Sequence, residues 1–284
     1  MEFGSAKGGS LNMPELTCGF IGTGRMATAL AEGFVSTGLL SGSHLVGSDT
    51  YRAAAEEFSR STGARIVDDN VALAKVSDVI FLSVKPQHMS GVLNELRGKL
   101  TERHLVISVA AGVTLARLGE ALGDGPRLVR VMPNTPCLVG QGAAGYCLGP
   151  GATAEDAALV DRLLGAVGRA FQLDESLLDA VTGLSGSGPA YICVMIEALA
   201  DGGVRMGLPR RIAQDLATQT VLGTAAMILK TGQHPASLKD QVASPGGTTI
   251  AGLAALEAGG VRSALIAAVE AATNRSRELG QVNH

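Results

Sequence analysis

The chain has 284 residues, of which 46% are hydrophobic and 17% charged, and its formal net charge is -3. This composition supplies enough apolar surface for a large core and excludes a disordered chain. The small net charge and the 3% of aromatic residues argue against a nucleic-acid partner. Apolar runs such as Val79-Ile-Phe-Leu82 have the length of a strand, so no membrane span is expected.

Cysteine spacing and the start of the chain indicate the compartment. The four cysteines lie far apart without a C-x-x-C pair, and the histidines show no ligand spacing. We therefore expect reduced thiols, no metal and a cytoplasmic location. Residues 1–15 are mostly small and polar and fit neither a signal peptide nor a transit sequence. We expect residues 1–15 to be a disordered leader, with the stretch before Met13, the expected natural start, added by cloning.

The segment Thr17–Ala27 carries the strongest pattern in the chain. An apolar run enters the glycine turn Gly22-Thr-Gly24, and a helical pattern follows. This is the G-x-G-x-x-A form of the dinucleotide fingerprint. Its first glycine makes the turn, the second lets a pyrophosphate approach the backbone, and the alanine keeps the helix close to the sheet. An ordinary strand-to-helix turn is the alternative, but strand, turn and helix all agree with a dinucleotide site.

Strand-like and helical patterns alternate through residues 16–174. This order predicts an α/β domain, a Rossmann-like doubly wound sheet with its ligand crevice at the carboxyl ends of the strands. The predicted strands are Thr17–Ile21, His44–Ser48, Arg65–Val67, Val79–Val84, Leu105–Val109, Arg127–Val131, Ala143–Leu148 and Ala170–Leu173. The predicted helices are Arg25–Thr37, Arg52–Ser61, Val71–Lys75, Pro86–Arg97, Leu115–Leu122 and Glu155–Val167.

Only helical patterns occur in residues 175–284. They are Ala190–Met206, Ile212–Lys230, Thr248–Ala258 and Ser263–Leu279. Helices that are apolar on most faces are normally buried, and one chain has too few polar faces to cover such a bundle. We therefore predict an all-α domain through which two chains form a homodimer. A compact monomeric bundle is the alternative.

The ends of the predicted strands suggest how a dinucleotide is held. Ser48 and Asp49 end the second strand, where this fold meets the adenosine ribose. A carboxylate there favours the free 2′-hydroxyl of NADH. Arg52 suits the 2′-phosphate of NADPH, unless it is a solvated charge on a helix. The two signals point to different cofactors, and both remain open.

Two further strand ends face the same crevice. Val84-Lys85-Pro86 closes the fourth strand and places the Lys85 backbone where the nicotinamide ribose would lie. Ala110 and Ala111 follow the fifth strand, and their small side chains admit a flat ring. Tight packing between helix and sheet would give a similar pattern.

The segment Ser244–Ile250 is the second strong pattern. Gly246 and Gly247 let the backbone curl, so that consecutive N–H groups face outward at a helix N-terminus. Such an anion nest suits a carboxylate. Thr248 or Thr249 would otherwise be a simple N-cap.

The absence of a strong acid from these motifs restricts the chemistry. Thr182–Pro189 is expected to be a hydroxyl-rich hinge, and Lys85 is the one Lys or His among the motifs. Reduction of a ketone needs a proton donor for the developing alkoxide. Reduction of a protonated imine needs none at hydride transfer. A carboxylate nest without an acid therefore suits a cyclic imino acid.

Together these motifs resemble the pyrroline-5-carboxylate reductase family from about Thr17 to Leu279. The resemblance implies a Rossmann-like domain at 16–174 and a helical dimerisation and substrate domain at 175–284. It implies reduction of 1-pyrroline-5-carboxylate to L-proline with NADPH or NADH. It also implies dimers in which each helical part completes its partner's site, and rings of dimers up to a decamer. The matching segments are Gly19–Ala27, Val84–Pro86, Val109–Gly112, Arg130–Pro136, Val181–Tyr191, Glu197–Gly203 and Ser244–Ile250.

The resemblance also implies roles for individual residues. Thr182 is the expected catalytic residue and forms a hydrogen bond with the ring nitrogen of the substrate. Glu175 is expected to lie near the substrate. The substrate carboxylate is expected on Gly246, Gly247, Thr248 and Thr249. Ten residues are expected to contact the dinucleotide: Gly22, Thr23, Gly24, Arg25, Met26, Asn70, Val84, Lys85, Ala110 and Ala111. From their places at strand and helix ends, four more are expected to contact it: Ser48, Asp49, Arg52 and Pro86. Asp49 departs from the neutral hydroxyl of members that favour NADPH.

Two other functions would use a similar fold. A different imine or β-hydroxy-acid reductase would need a lysine in Ala190–Met206, and that segment has none. A scaffold that binds a dinucleotide without chemistry would need neither Thr182 nor the anion nest. Neither alternative accounts for both halves of the chain.

Overall fold

The computed structural model describes residues 16–281, so the predicted leader, residues 1–15, lies outside the described part. The described chain forms two compact units. The first, here the sheet unit, runs to Val181 and includes the chain again from Ser276. The second, the helical unit, is Thr182–Arg275. The division lies later in the sequence than the predicted boundary after residue 174.

Eight strands form one sheet in the sheet unit. They are β1 (Cys18–Ile21), β2 (Leu45–Ser48), β3 (Arg65–Ile66), β4 (Val79–Leu82), β5 (Leu105–Ser108), β6 (Arg127–Met132), β7 (Gly142–Leu148) and β8 (Gly168–Gln172). Their spatial order is β3-β2-β1-β4-β5-β6-β7-β8. Neighbouring strands run parallel except β6 and β7. The predicted Rossmann-like α/β architecture is confirmed.

Helices cover both faces of this sheet. They are α1 (Arg25–Ser36), α2 (Arg52–Thr62), α3 (Asn70–Val76), α4 (Pro86–Leu96), α5 (Leu115–Leu122), α6 (Ala154–Gly165) and the short α7 (Leu178–Val181). Helices α1, α2 and α6 share one buried apolar cluster with the sheet. Helices α3, α4 and α5 share a second cluster. Burial on both faces explains why the central strands are apolar runs without alternation.

Four phenylalanines form the centre of the first cluster. Phe20 on β1 and Phe81 on β4 lie side by side in register, and their rings stack at 4.8 Å between centroids. Phe58 from α2 and Phe34 from α1 pack on this pair at 5.4 Å and 5.9 Å. All four side chains are fully buried. The cluster therefore joins two central strands to two helices.

The helical unit begins with a wide π-helical turn, Thr182–Gly186, in which the Ser187 N–H donates to the Thr182 carbonyl at 2.9 Å. The segment expected to be a hinge is thus helical. Five helices follow: α8 (Gly188–Arg205), α9 (Arg210–Thr231), α10 (Pro235–Gln241), α11 (Thr248–Ala258) and α12 (Val261–Gln281), whose last turns belong to the sheet unit. The sequence did not predict α10, because seven residues are too few for a periodic pattern.

Few apolar side chains of the helical unit are buried within the chain. Ala200, Ala213 and Ala217 form the one small core cluster between α8 and α9. Large apolar side chains remain exposed, as in Val194 at 64% and Met206 at 84%. Soluble monomers rarely expose so much apolar surface. This pattern agrees with helices that pack against a second chain.

Two properties of residues 16–281 concern metals and membranes. No three His, Cys, Asp or Glu side chains lie close enough together to hold a metal ion. No single helix in that range meets the length and hydropathy requirements for crossing a membrane, although α11 and residues 261–280 meet them as a pair bent by 51°.

The phenylalanine cluster yields a stability prediction. Phe81→Ala removes a ring that is fully buried, and such truncations lower the free energy of unfolding by ~3–5 kcal/mol. Phe171→Ala is the matched control because that ring is 49% exposed, and it should cost under ~1 kcal/mol. Urea unfolding at one fixed protein concentration measures both. Equal losses in the two variants would show that the cluster does not hold the sheet together.

Candidate active site

Three strand ends meet at the carboxyl edge of the sheet because the register aligns them. Ile21 on β1 lies beside Ser48 on β2 and Leu82 on β4. The Gly22 N–H donates to the Ser48 carbonyl at 2.9 Å, and the Ser83 N–H donates to the Ile21 carbonyl at 2.8 Å. These bonds bring the glycine turn together with the ends of β2 and β4.

The two glycines of the turn serve different purposes. Gly22 has φ +85°, which favours glycine, and a Cβ there would lie 2.8 Å from Val84 Cγ1. Gly24 has an ordinary φ of -72° and precedes the first residue of α1. A Cβ built on Gly24 would meet no atom within 4 Å. The first glycine therefore permits the turn, and the second leaves open space beside a helix N-terminus, where phosphate groups bind well.

A cleft of about 560 Å³ opens at these strand ends. Its volume is typical of small-molecule and cofactor sites. It brings together seven of the residues predicted to hold a dinucleotide: Gly22, Gly24, Ser48, Asp49, Asn70, Val84 and Lys85. The open space at Gly24 and the mixture of backbone and polar side-chain groups fit a dinucleotide.

The other predicted cofactor residues take different positions. Thr23 lies within the glycine turn but is only 2% exposed. Met26 packs against the core, and Arg25 and Pro86 are the first residues of α1 and α4. Ala110 is buried and Ala111 is exposed, both just after β5.

The Asp49 carboxylate ties the turn to the end of β2. Its Oδ2 accepts hydrogen bonds from the Thr23 N–H at 2.7 Å and the Thr23 hydroxyl at 3.1 Å. Its Oδ1 accepts from the Tyr51 N–H at 2.8 Å. Asp49 thus presents negative charge at the cleft while organising the turn. Arg52, the candidate for a 2′-phosphate, is instead paired with Glu56 at 2.8 Å on the surface.

Sequence reasoning missed the wall of the cleft formed by α4. Besides Lys85, which precedes it, this helix contributes His88, Gly91, Val92 and Glu95, and the Asn70 amide donates to Glu95 Oε2 at 2.5 Å. The four α4 positions recur at helical spacing and share one face. That signal was present in the sequence, but it acquires meaning only once α4 is known to border the cleft.

Glu175 lies in the sheet unit and is already bonded to protein groups. Its Oε1 accepts from the Leu115 N–H at 2.8 Å and from Arg130 Nη1 at 2.9 Å. The Arg130 side chain is 6% exposed, so its charge needs this partner. The carboxylate also lies at the N-terminus of α5, where the helix dipole favours it. Glu175 therefore connects β6, α5 and the segment before α7.

The thiol of Cys147, near Glu175, is not a nucleophile. Burial, and then the negative charge of Glu175, raise the pKa of Cys147 to about 11. The thiol consequently stays protonated at neutral pH. Cys18, Cys137 and Cys147 are buried free thiols, and Cys193 is exposed.

Thr182 lies in the helical unit, at the start of the π-helical turn. The turn is fixed by Gly183, where a Cβ would come within 2.2 Å of Thr273 Oγ1 on α12. The Tyr191 hydroxyl donates to the Gly183 carbonyl at 3.3 Å and lies equally close to the Ala268 carbonyl. Close packing on α12 therefore sets the backbone that carries Thr182. Wide turns of this kind often occur at functional sites.

The predicted anion nest also lies in the helical unit. Gly246 has φ +66°, and the Gly247 N–H donates to the Ser244 carbonyl at 3.1 Å. Helix α11 starts at Thr248 with Gly247 as its N-cap, so the alternative that Thr248 or Thr249 is the N-cap is wrong. The first N–H groups of α11 lack partners inside the helix by geometry. They are donors that a carboxylate can use.

Two family models match the chain. Residues 175–279 match "Pyrroline-5-carboxylate reductase dimerisation". Residues 17–112 match "NADP oxidoreductase coenzyme F420-dependent". A protein named pyrroline-5-carboxylate reductase from Arabidopsis thaliana is 51% identical, and the match covers 93% of this chain and 95% of that protein. One with the same name from Methanosarcina acetivorans is 48% identical, covering 93% and 97%.

Solved structures agree with the sequence matches. A pyrroline-5-carboxylate reductase from Coxiella burnetii superposes with a TM-score of 0.88 at 36% identity, covering 94% of this chain and 99% of that chain. The Plasmodium falciparum pyrroline carboxylate reductase with NADP bound gives a TM-score of 0.85 at 34% identity, covering 95% and 100%. With half of its residues identical to one such protein over nearly the whole length, the chain belongs to the pyrroline-5-carboxylate reductase family.

Proposed function

We propose that this protein reduces the C=N bond of 1-pyrroline-5-carboxylate to give L-proline, with NADPH or NADH as the reductant. The observation that carries the proposal is the open cleft at the glycine turn, in a chain of this family. A bound NADPH or NADH supplies the hydride. The Gly22–Met26 turn, Asn70, and the ends of β2, β4 and β5 hold it, including Ala110, Ala111 and Pro86.

The substrate residues follow from charge and hydrogen bonding. The N–H groups and hydroxyls at Gly246–Thr249 hold the substrate carboxylate, because they combine donors with the positive end of a helix. The Thr182 hydroxyl contacts the ring nitrogen as the catalytic residue. Glu175 acts near the substrate through the groups it orders, since its carboxylate already pairs with Arg130. These roles rest on the family resemblance and on the local geometry of each segment.

The protein is a homo-oligomer of a family with a dimerisation domain. We propose that it is a dimer, with rings of dimers up to a decamer, and that the helical unit of one chain completes the site of its partner. The exposed apolar faces of α8 and α9 support this assembly. A functional boundary after residue 174 is supported by the dimerisation match, which begins at residue 175. Four free cysteines support a cytoplasmic location.

The loss of absorbance of NADH or NADPH tests the proposed reaction directly. Oxidation should require 1-pyrroline-5-carboxylate and should be much slower with cyclic imines that lack a carboxylate. A β-keto acid should give no reaction, because the residues proposed to contact the substrate include no Lys or His that could protonate an alkoxide. Dinucleotide binding without turnover would support the scaffold alternative instead.

Thr249→Ala tests the carboxylate nest. Losing one good hydrogen bond to a charged group removes ~1.5–3 kcal/mol, so kcat/KM for the substrate should fall roughly ten- to hundredfold. The KM for the dinucleotide should change far less. Thr37→Ala is the matched control, because Thr37 is exposed and its hydroxyl donates to backbone carbonyls of α1. Unchanged kinetics in Thr249→Ala would remove this hydroxyl from the site.

Asp49→Ser tests the choice of cofactor. Because the Asp49 carboxylate disfavours the 2′-phosphate of NADPH and Arg52 favours it, both cofactors should be used by the wild type. Removing the carboxylate should shift the preference toward NADPH. The ratio of kcat/KM for NADPH over NADH should rise by about tenfold, equivalent to ~1.4 kcal/mol. Asp124 is an exposed residue after α5, so Asp124→Ser controls for the change in net charge. An unchanged ratio would show that Asp49 does not face the adenosine ribose.

A further inference from the structure

Ser83 is a cleft residue that neither the sequence pattern nor the proposed function uses. It directly follows β4, and its N–H donates to the Ile21 carbonyl at 2.8 Å. It lines the cleft beside the glycine turn. A Cβ built on Gly22 would lie 3.0 Å from the Ser83 carbonyl carbon. The backbone of Ser83 therefore abuts the turn at which a dinucleotide pyrophosphate binds.

The hydroxyl of Ser83 is an orphan. Its Oγ is shielded from solvent and has no hydrogen-bond partner in the part of the chain that the structure describes. Buried polar groups are almost always paired, because an unmade hydrogen bond is destabilising. Ser77, at the opposite end of the same strand, shows the usual arrangement. It is fully buried, and its hydroxyl donates to the Leu73 carbonyl at 2.8 Å.

The orphan hydroxyl is free to turn toward the cleft. A serine side chain has three staggered rotamers, and no hydrogen bond holds Ser83 in its present one. The residue as a whole is half-buried and lines the cleft. Rotation about the Cα–Cβ bond can therefore move Oγ out of its shielded position into the exposed part of the residue.

We propose that the Ser83 hydroxyl is a dinucleotide ligand that turns into the cleft and donates a hydrogen bond to a pyrophosphate oxygen. The inference rests on the proposed function only in requiring that a dinucleotide binds. Free protein carries an unsatisfied hydroxyl, and bound protein satisfies it. Because NADH and NADPH share the pyrophosphate, Ser83 strengthens the binding of both and does not select between them.

The test uses Ser83 and Ser77, two serines with shielded hydroxyls at opposite ends of β4, in the full-length protein. In Ser83→Ala, the dissociation constants of NADH and NADPH should both rise by about tenfold. The melting temperature of the free protein should be unchanged or higher, because an unsatisfied group has gone. In Ser77→Ala, the melting temperature should fall, because a satisfied bond is lost, and both dissociation constants should stay within about twofold. Fluorescence titration of the reduced dinucleotides gives the constants without substrate.

Fragments of the dinucleotide locate the contact. ADP-ribose keeps the pyrophosphate. In competition titrations, Ser83→Ala should weaken its binding by the same factor as the binding of NADH. AMP, which lacks the pyrophosphate, should bind the variant and the wild type equally. If Ser83→Ala weakened AMP binding by the same factor, the assignment of the contact to the pyrophosphate would be overturned.

Two results would contradict the inference, and they differ from failure of the proposed function. NADH affinity within twofold of the wild type in Ser83→Ala would show that the hydroxyl does not bind the dinucleotide. A melting temperature lowered as far as in Ser77→Ala would show that the hydroxyl has a structural partner. If the wild type bound neither NADH nor NADPH, the proposed function itself would be wrong.

Discussion

The helical unit buries only a small core of three alanines in the single chain, and the proposed assembly and substrate site both rest on this constraint. Helix α8 has 18 residues, and Ala200 is its one buried residue. Helix α11 has no buried residue among its 11. Apolar surface of this extent is favourable only when another surface covers it. The residues expected to hold the substrate, Thr182 and Ser244–Thr249, belong to this same unit.

The sheet unit differs because one chain completes it. Its two apolar clusters cover both faces of the sheet, and the cleft lies entirely within the unit. The turn at Gly22 is held by hydrogen bonds to β2 and β4 and by the Asp49 carboxylate. The proposed dinucleotide site is therefore contained in a single chain. The residues proposed to bind the substrate belong to the helical unit, whose apolar faces remain exposed in the single chain.

Sequence reasoning worked best where local pattern decides the structure. The bounds of α5 and α11 were predicted to the residue, and the strand predictions lie close to the strands observed. Buried parallel strands are short apolar runs, and Gly and Pro mark their ends. The Gly22 turn could be predicted because its strand, turn and helix adjoin in sequence. The roles of individual site residues remain predictions.

Contacts between distant residues could not be predicted. The π-helical turn depends on Gly183 meeting Thr273, and the position of Glu175 depends on Arg130. The bond from Thr23 to Asp49 joins residues 26 positions apart. Each of these contacts comes from tertiary packing, which no local pattern encodes. The sequence patterns correctly predicted that the glycine turn, Asp49 and Lys85 follow the ends of β1, β2 and β4. These strand ends form the cleft.

Complementation between two impaired variants tests the central claim, that each active site needs two chains. Gly24→Asp puts a negative charge into the cleft, and Thr249→Ala impairs the nest. If each site combines the cleft of one chain with the nest of its partner, a mixed dimer has one intact site. Random co-expression should then restore about a quarter of wild-type activity. Activity that stays at the mean of the two parent variants would contradict the account and place each site within a single chain.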